Sequence, residues 1–265
     1  MTMGTKAHVL LMFCLLLLGC DALDKEAANK YEAATKRWNA GDYRTAVSMY
    51  RTLADESPHS PHADNALYWI GVTQFLYLGE TEKALATLQL VLDKYSRRDM
   101  APSAQLYIAK IYERGYNDYT RAAEEYRKAA AYADRAVREE SYYRLGESLY
   151  RLGKREEARE VWTGQVKEFP QGGQAELAYF RLGTLAFTKG ELKEAETFYR
   201  EAMRQTSDSS LAIKAKFALA GCLEAGDNLT EALKLYNELE KAYPNPEAIR
   251  IKIKALKVRI RKKSY

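Results

Sequence analysis

Apolar and polar positions along this chain alternate with a fixed long rhythm. An alanine followed four residues later by a large apolar side chain recurs at Ala46, Ala84, Ala122, Ala158, Ala195 and Ala232, at intervals of 38, 38, 36, 37 and 37 residues. The large partners are Tyr50, Leu88, Tyr126, Trp162, Tyr199 and Tyr236. Upstream, a bulky apolar residue stands beside a very small one in Ile70-Gly71, Ile108-Ala109, Leu145-Gly146, Leu182-Gly183 and Leu219-Ala220, usually with aromatics just before. Residues three and four apart share a helix face, so each period reads as two amphipathic helices joined by a turn. The small residues mark where the paired backbones approach, and the large side chain fills the space above them. The turns carry Gly41, Gly79, Asn117-Asp118, Gly153, Gly190 and Gly226, and the spacing predicts an extra turn residue in copies two, three and six. Pro58, Pro170 and Pro244 fall twelve residues past their alanines, where they stop the second helix. Ser60-Pro61 and Asn245-Pro246 read as the cap and first turn of the helix that follows. The expectation is an all-α chain of about six helix-turn-helix copies over residues 25–246, closed by a C-terminal capping helix over 247–265.

In period and in residue type at most signature positions, this pattern resembles the tetratricopeptide (TPR) repeat. The departures are local: Leu88 for the aromatic, Ser96 and Ser207 for proline, and Ala33-Ala34 for the Leu-Gly pair of the first copy. The resemblance implies a helical solenoid whose units contact mainly their neighbours and whose concave face is lined by the first helix of each copy. Positions flanking the Leu-Gly pair point into that groove in the family. Here they are Tyr68 and Phe75, then Tyr143, Tyr150 and Arg151, then Phe180 and Phe187, which form the candidate peptide groove. Aromatic and arginine side chains dominate binding surfaces. The same seven also suit packing between copies.

The two ends follow different rules. Near the C-terminus, Ile249, Ile253, Leu256 and Ile260 form one helical stripe, whereas Ile249, Ile251 and Ile253 alternate with Arg250, Lys252 and Lys254 as a strand would. A solenoid needs a polar-faced cap and a lone strand has no partner, so helix is expected. At the N-terminus, Lys6 and His8 precede an apolar run from Val9 to Leu18, half of what a membrane span requires, and then Gly19-Cys20. Leu17-Leu18-Gly19-Cys20 resembles a bacterial lipobox. That resemblance implies a cleaved leader over 1–19, palmitate or other acyl chains on Cys20, and a tether over 20–24 too short to carry the first repeat more than roughly 15 Å from a membrane.

Composition changes little in this picture. The net charge of +5 is concentrated at the end, since residues 247–265 hold eight Lys/Arg against one acidic residue. Nothing suggests a nucleic-acid binder. His59 and His62 lie in a turn without the close Cys/His set that a metal site needs, and Cys222 sits among Leu219, Ala220 and Leu223 as a small core residue. No catalytic or phosphate-binding motif occurs. The chain therefore reads as a non-enzyme with no cofactor or metal. A lipobox ahead of TPR copies resembles the envelope-assembly TPR lipoproteins of Gram-negative bacteria. Ala66-Leu67-Tyr68-Trp69-Ile70-Gly71 is similar to a motif in the Tol-Pal accessory protein family. The TPR lipoprotein of the outer-membrane β-barrel assembly machine and the pilotin-type secretin escorts are similar in architecture. These resemblances imply a scaffold facing the periplasm, with the outer membrane favoured and with envelope proteins or peptides as partners. The alternative is a spacer whose basic tail binds anionic lipid or cell-wall polymer.

Overall fold

The structure, a computed structural model, describes residues 24–206 and 209–263. The leader, Cys20, nearly all of the tether and Ser207 lie outside the described residues. The described residues form helices and turns with no strand. The helices are α1 (24–39), α2 (Tyr43–Glu56), α3 (Ala63–Leu76), α4 (Thr81–Tyr95), α5 (Met100–Arg114), α6 (Tyr119–Ala130) and α7 (Arg135–Arg151). Then come α8 (Arg155–Glu168), α9 (Ala175–Lys189), α10 (Leu192–Gln205), α11 (Ser209–Ala225), α12 (Leu229–Leu239) and α13 (Pro246–Lys263). Six pairs and a closing helix make a helical solenoid of TPR-like repeats. The chain divides into two compact units, one ending at Val137 and the other beginning at Arg138.

Each pair is built on the small-against-large contact read from the sequence. The six anchor alanines are fully buried. A Cβ added at Gly71 would sit 2.6 Å from Leu88 Cγ, at Gly183 2.7 Å from a Tyr199 ring carbon, and at Gly146 closer still to Trp162 Nε1. In these three pairs the residue four past the alanine thus lies directly on the backbone of the partner helix, and a larger residue in place of the glycine would force it off. In the first unit Tyr50, Leu53, Leu88, Val91, Ile108 and Ile111 make the core. In the second, Tyr199, Leu219, Leu223, Tyr236 and Leu239 continue into α13 through Ile249, Ile253 and Leu256.

The turns obey one rule in all six copies. Five residues before each anchor alanine the backbone is left-handed, with φ of 79° at Gly41, 68° at Gly79, 53° at Asn117, 77° at Gly153, 82° at Gly190 and 65° at Asp227. Glycine enters that region without a Cβ penalty, and Asn and Asp are the side chains that best tolerate it. The residue after it closes the helix end. In four copies that N–H donates to the carbonyl five residues back: Asp42 to Arg37, Lys154 to Leu149, Glu191 to Ala186 and Asn228 to Leu223. In copies two and three the bond reaches six back, Glu80 to Gln74 at 2.8 Å and Asp118 to Tyr112 at 2.9 Å. Those two copies hold the extra residue expected of them. Copy six does not: Asp227, and not Gly226, occupies the left-handed position, so its turn has the ordinary length.

At the C-terminus, α13 is helical throughout its described length. Asn245 Oδ1 accepts from the Ala248 N–H at 3.1 Å, so Asn245 caps and Pro246 opens the helix. Ile249, Ile253 and Leu256 are buried, and Ile260 is partly buried against the same core. The strand-like alternation places Ile251 on the opposite, solvent side.

Candidate protein-binding surface

In the first unit the surface of interest is built on α3 and α5. Tyr68, half-buried on α3, meets the Tyr107 ring of α5 edge-on at 5.7 Å and Trp69 at 5.5 Å. Lys110 Nζ stands 4.7 Å above the Tyr107 ring. Trp69 continues the series to Trp38 of α1 at 5.2 Å, and Trp38 Nε1 donates to the buried Thr73 Oγ1 at 2.9 Å. Tyr43 and Tyr77 stack at 4.2 Å beside Trp38, with Tyr77 exposed. Successive helices therefore present a run of half-buried aromatic rings with a cation over one of them, a surface suited to apolar and aromatic peptide side chains. Phe75 belongs to it less: its ring faces the α5 C-terminus, 3.3 Å from where a Cβ on Gly115 would be.

The second unit uses the same helix positions differently. Arg181 of α9 holds Glu147 of α7 with two of its guanidinium nitrogens, Nε and Nη2, at 2.5 and 2.8 Å. Its guanidinium also lies 5.9 Å from the centre of the Tyr150 ring. Burial works against charge on Arg181, but the Glu147 carboxylate outweighs it and the net pKa stands above the ordinary arginine value. Burial also raises the Tyr143 hydroxyl, with Glu147 adding to the rise and Arg181 opposing it. Tyr143 thus shares the Glu147–Arg181 site, and its carbonyl accepts from Trp162 Nε1 at 3.2 Å. Arg151 is exposed at the end of α7 and Phe187 is exposed near the end of α9. Phe180 packs against Tyr199 at 5.8 Å and serves the core more than the surface.

Of the seven candidates, then, Tyr68 joins an aromatic run in the first unit, and Tyr143 and Tyr150 join an arginine–glutamate site in the second. Phe75 and Phe180 are mainly packing residues. Further residues belong to these surfaces, Trp69 and Tyr107 to that of the first unit and Arg144 and Arg181 to that of the second, each immediately before the large apolar residue of its Leu-Gly-type pair. Their composition, aromatic or arginine in four successive copies, was a visible signal.

Cys222, His59 and His62 each take part in packing or hydrogen-bond contacts. The Cys222 thiol is buried, donates to the Leu192 carbonyl at 3.1 Å, and has its pKa raised by burial, which disfavours the thiolate. The His62 ring stacks on Tyr31 at 5.3 Å, and the His59 carbonyl accepts from Arg98. Among the described residues no group of three or more His, Cys, Asp or Glu could hold a metal ion. Nor is any described helix long and apolar enough to cross a membrane.

Comparison with known proteins agrees with this architecture. No curated protein matches the chain. Among solved structures, PilF of Pseudomonas aeruginosa superposes with a TM-score of 0.65 at 13% identity, covering 90% of this chain and 99% of that one. PilW, described as a widely conserved type IV pilus biogenesis factor, gives 0.58 at 14%, covering 85% and 97%. BtubC from P. vanneervenii gives 0.56 at 17%, covering 83% and 94%. At these identities the likeness is one of fold. Two sequence models, both described as tetratricopeptide repeat, match residues 31–76 and 143–210, and residues 65–97 and 214–246. Together they span more than half of the chain, which belongs to the tetratricopeptide-repeat family.

Proposed function

We propose that this chain is a lipid-anchored TPR scaffold that binds protein or peptide partners at a bacterial envelope membrane and catalyses no reaction. The observation that carries the binding role is the run Trp69, Tyr68 and Tyr107, half-buried rings on successive first helices with Lys110 over the last. Rings held by neighbours on one side and open on the other lose little entropy on contact, which is why such residues anchor interfaces. The anchoring role rests on the short apolar leader and on Leu17-Leu18-Gly19-Cys20. The chain acts on the periplasmic face, at the outer membrane in preference to the inner. Assembly of an envelope structure is the fitting task, by likeness of fold to PilW, a type IV pilus biogenesis factor.

The test is crosslinking in native cells followed by capture of the full chain. Partners are expected to fall by about tenfold or more when Tyr68 and Tyr107 are both changed to alanine. Capture that is unchanged by the pair would reject this surface. In the same cells, Cys20→Ala is expected to abolish palmitate labelling, and retained labelling would reject the anchor alone.

A further inference from the structure

The closing helix carries two apolar stripes, and only one of them is used by the fold. Ile249, Ile253, Leu256 and Ile260 face the core at positions i, i+4, i+7 and i+11. Shifted by two residues, Ile251, Ala255, Val258 and Lys262 repeat that spacing on the opposite side. Ile251 is 62% exposed and Val258 49%, the most open aliphatic pair on any one described helix of the second unit.

The basic residues of α13 also fall into two sets. Lys252 and Arg259 bind Glu224 at 3.0 and 3.1 Å, and Lys263 pairs with Asp227. Arg250 is held by Glu240 at 3.1 Å and Glu247 at 3.2 Å. Lys254, Lys257, Arg261 and Lys262 are exposed and have no such partner among the described residues. At 100° per residue these four lie within about 140° of arc together with Ile251 and Val258, over about 16 Å of helix. Glu224 of α11 and Asp227 in the turn after it neutralise the edge that carries Lys252, Arg259 and Lys263. Arg250, held by Glu240 and Glu247, sits at the N-terminal end of the aliphatic face, which keeps four further cations of its own.

We propose that this face of α13 lies on an anionic lipid surface, with Ile251 and Val258 entering the headgroup boundary and Lys254, Lys257, Arg261 and Lys262 at the phosphates. An exposed aliphatic stripe edged by uncommitted Lys and Arg is the composition of an interfacial helix, in which long basic side chains extend along the apolar surface to reach headgroups. A second copy of the chain is a poor occupant, because pairing α13 with itself would bring eight uncommitted cations together. An acidic peptide is less suited as well, since the face is one helix wide and its apolar part is only two large side chains.

The experiment mixes the full chain with vesicles of neutral phosphatidylcholine, or of phosphatidylcholine containing a third phosphatidylglycerol. Lysines are acylated and labelling at each is read by mass spectrometry. The apolar leader contributes to both vesicle types, so the difference between them reports surface charge. Lys254, Lys257 and Lys262 are expected to be protected about fivefold on the anionic vesicles relative to the neutral ones, with exposed Lys193 of α10 as the unchanged reference. Ile251→Glu, at a solvent-facing position that leaves helicity intact, is expected to abolish the difference. Equal labelling on the two vesicle types overturns the proposal. Protection of the same lysines by inorganic phosphate or polyglutamate without vesicles, at matched charge, also overturns it and assigns the face to free anions or to an acidic peptide.

Discussion

The two units solve one positional problem with opposite chemistry. At the residue just before the large apolar member of each Leu-Gly-type pair, the first unit has Trp69 and Tyr107 and the second has Arg144 and Arg181. In the first, neighbouring helices are joined there by rings: Trp69 against Trp38, and Tyr107 against Tyr68. In the second, α9 is joined to α7 by a two-pronged guanidinium–carboxylate contact, with Glu147 only 15% exposed. Arg144 bonds Glu140 within its own helix at 3.3 Å. Their buried polar groups differ too. Thr87 of the first unit donates to Gln74 at 2.9 Å, both buried. Gln165 of the second is fully buried and neither of its amide atoms has a hydrogen-bond partner among the described residues. The lesson is that a TPR backbone fixes where a side chain stands and leaves open what force it uses, so one array can hold a salt-insensitive surface and a salt-sensitive one.

The largest effect should come from removing the ring at the edge of the first unit. Trp38→Ala loses contacts with Tyr43, Trp69 and Tyr77 and the bond to Thr73, and is expected to cost about 3 kcal/mol. Neighbour-limited coupling in a solenoid should confine that loss, so hydrogen exchange is expected to quicken in α1 to α4 and stay unchanged in α9 to α13. Equal quickening in both units would erase the distinction between them. A smaller effect separates the two kinds of contact. In a double-mutant cycle, Glu147→Gln with Arg181→Met should give a coupling of about 1–2 kcal/mol that weakens in molar salt. Tyr68→Leu with Tyr107→Leu should give about 0.5–1 kcal/mol with no salt dependence. Matching salt responses would defeat the contrast. The smallest effect has opposite signs in the two units. Gln165→Leu should stabilise by about 1 kcal/mol because an unpaired amide leaves the core, while Gln74→Leu should destabilise by a similar amount because Thr87 loses its acceptor. Urea midpoints of the two variants decide this.

The fold was readable because its determinants are repeated. Six buried alanines, each with a large residue four positions on, define the helix pairs. Pro58 and Pro170 follow the ends of α2 and α8 by two residues and Asn245 caps α13, whereas α12 ends at Leu239, short of Pro244, and α3 begins at Ala63 after His62, with Ser60-Pro61 left in the turn. The candidate surface was less readable. Tyr68 and Phe180 occupy the same repeat position, yet one meets the rings of Trp69 and Tyr107 and the other packs on Tyr199, because the neighbouring side chains differ. Repeat position reports direction from the helix axis, while burial depends on what the adjacent copy places opposite. The role of Arg181 carries no local signal for a related reason: it depends on Glu147, a residue 34 positions away that no local pattern links to it. In copy six, Gly226 is the turn glycine of the sequence pattern, but the left-handed residue is Asp227, a type that tolerates this conformation at some cost.

The turn geometry has a practical consequence for altering this molecule. Copies two and three carry one residue more ahead of the left-handed position, yet Ala84 and Ala122 are as fully buried as the anchors of the other copies. The added length is absorbed in the loop before it reaches the packed face of the second helix. The four shorter turns are therefore ready-made ports: a tag or a recognition loop grafted beside Gly153, whose Cα looks onto open space, would enter where the architecture already tolerates changes in length.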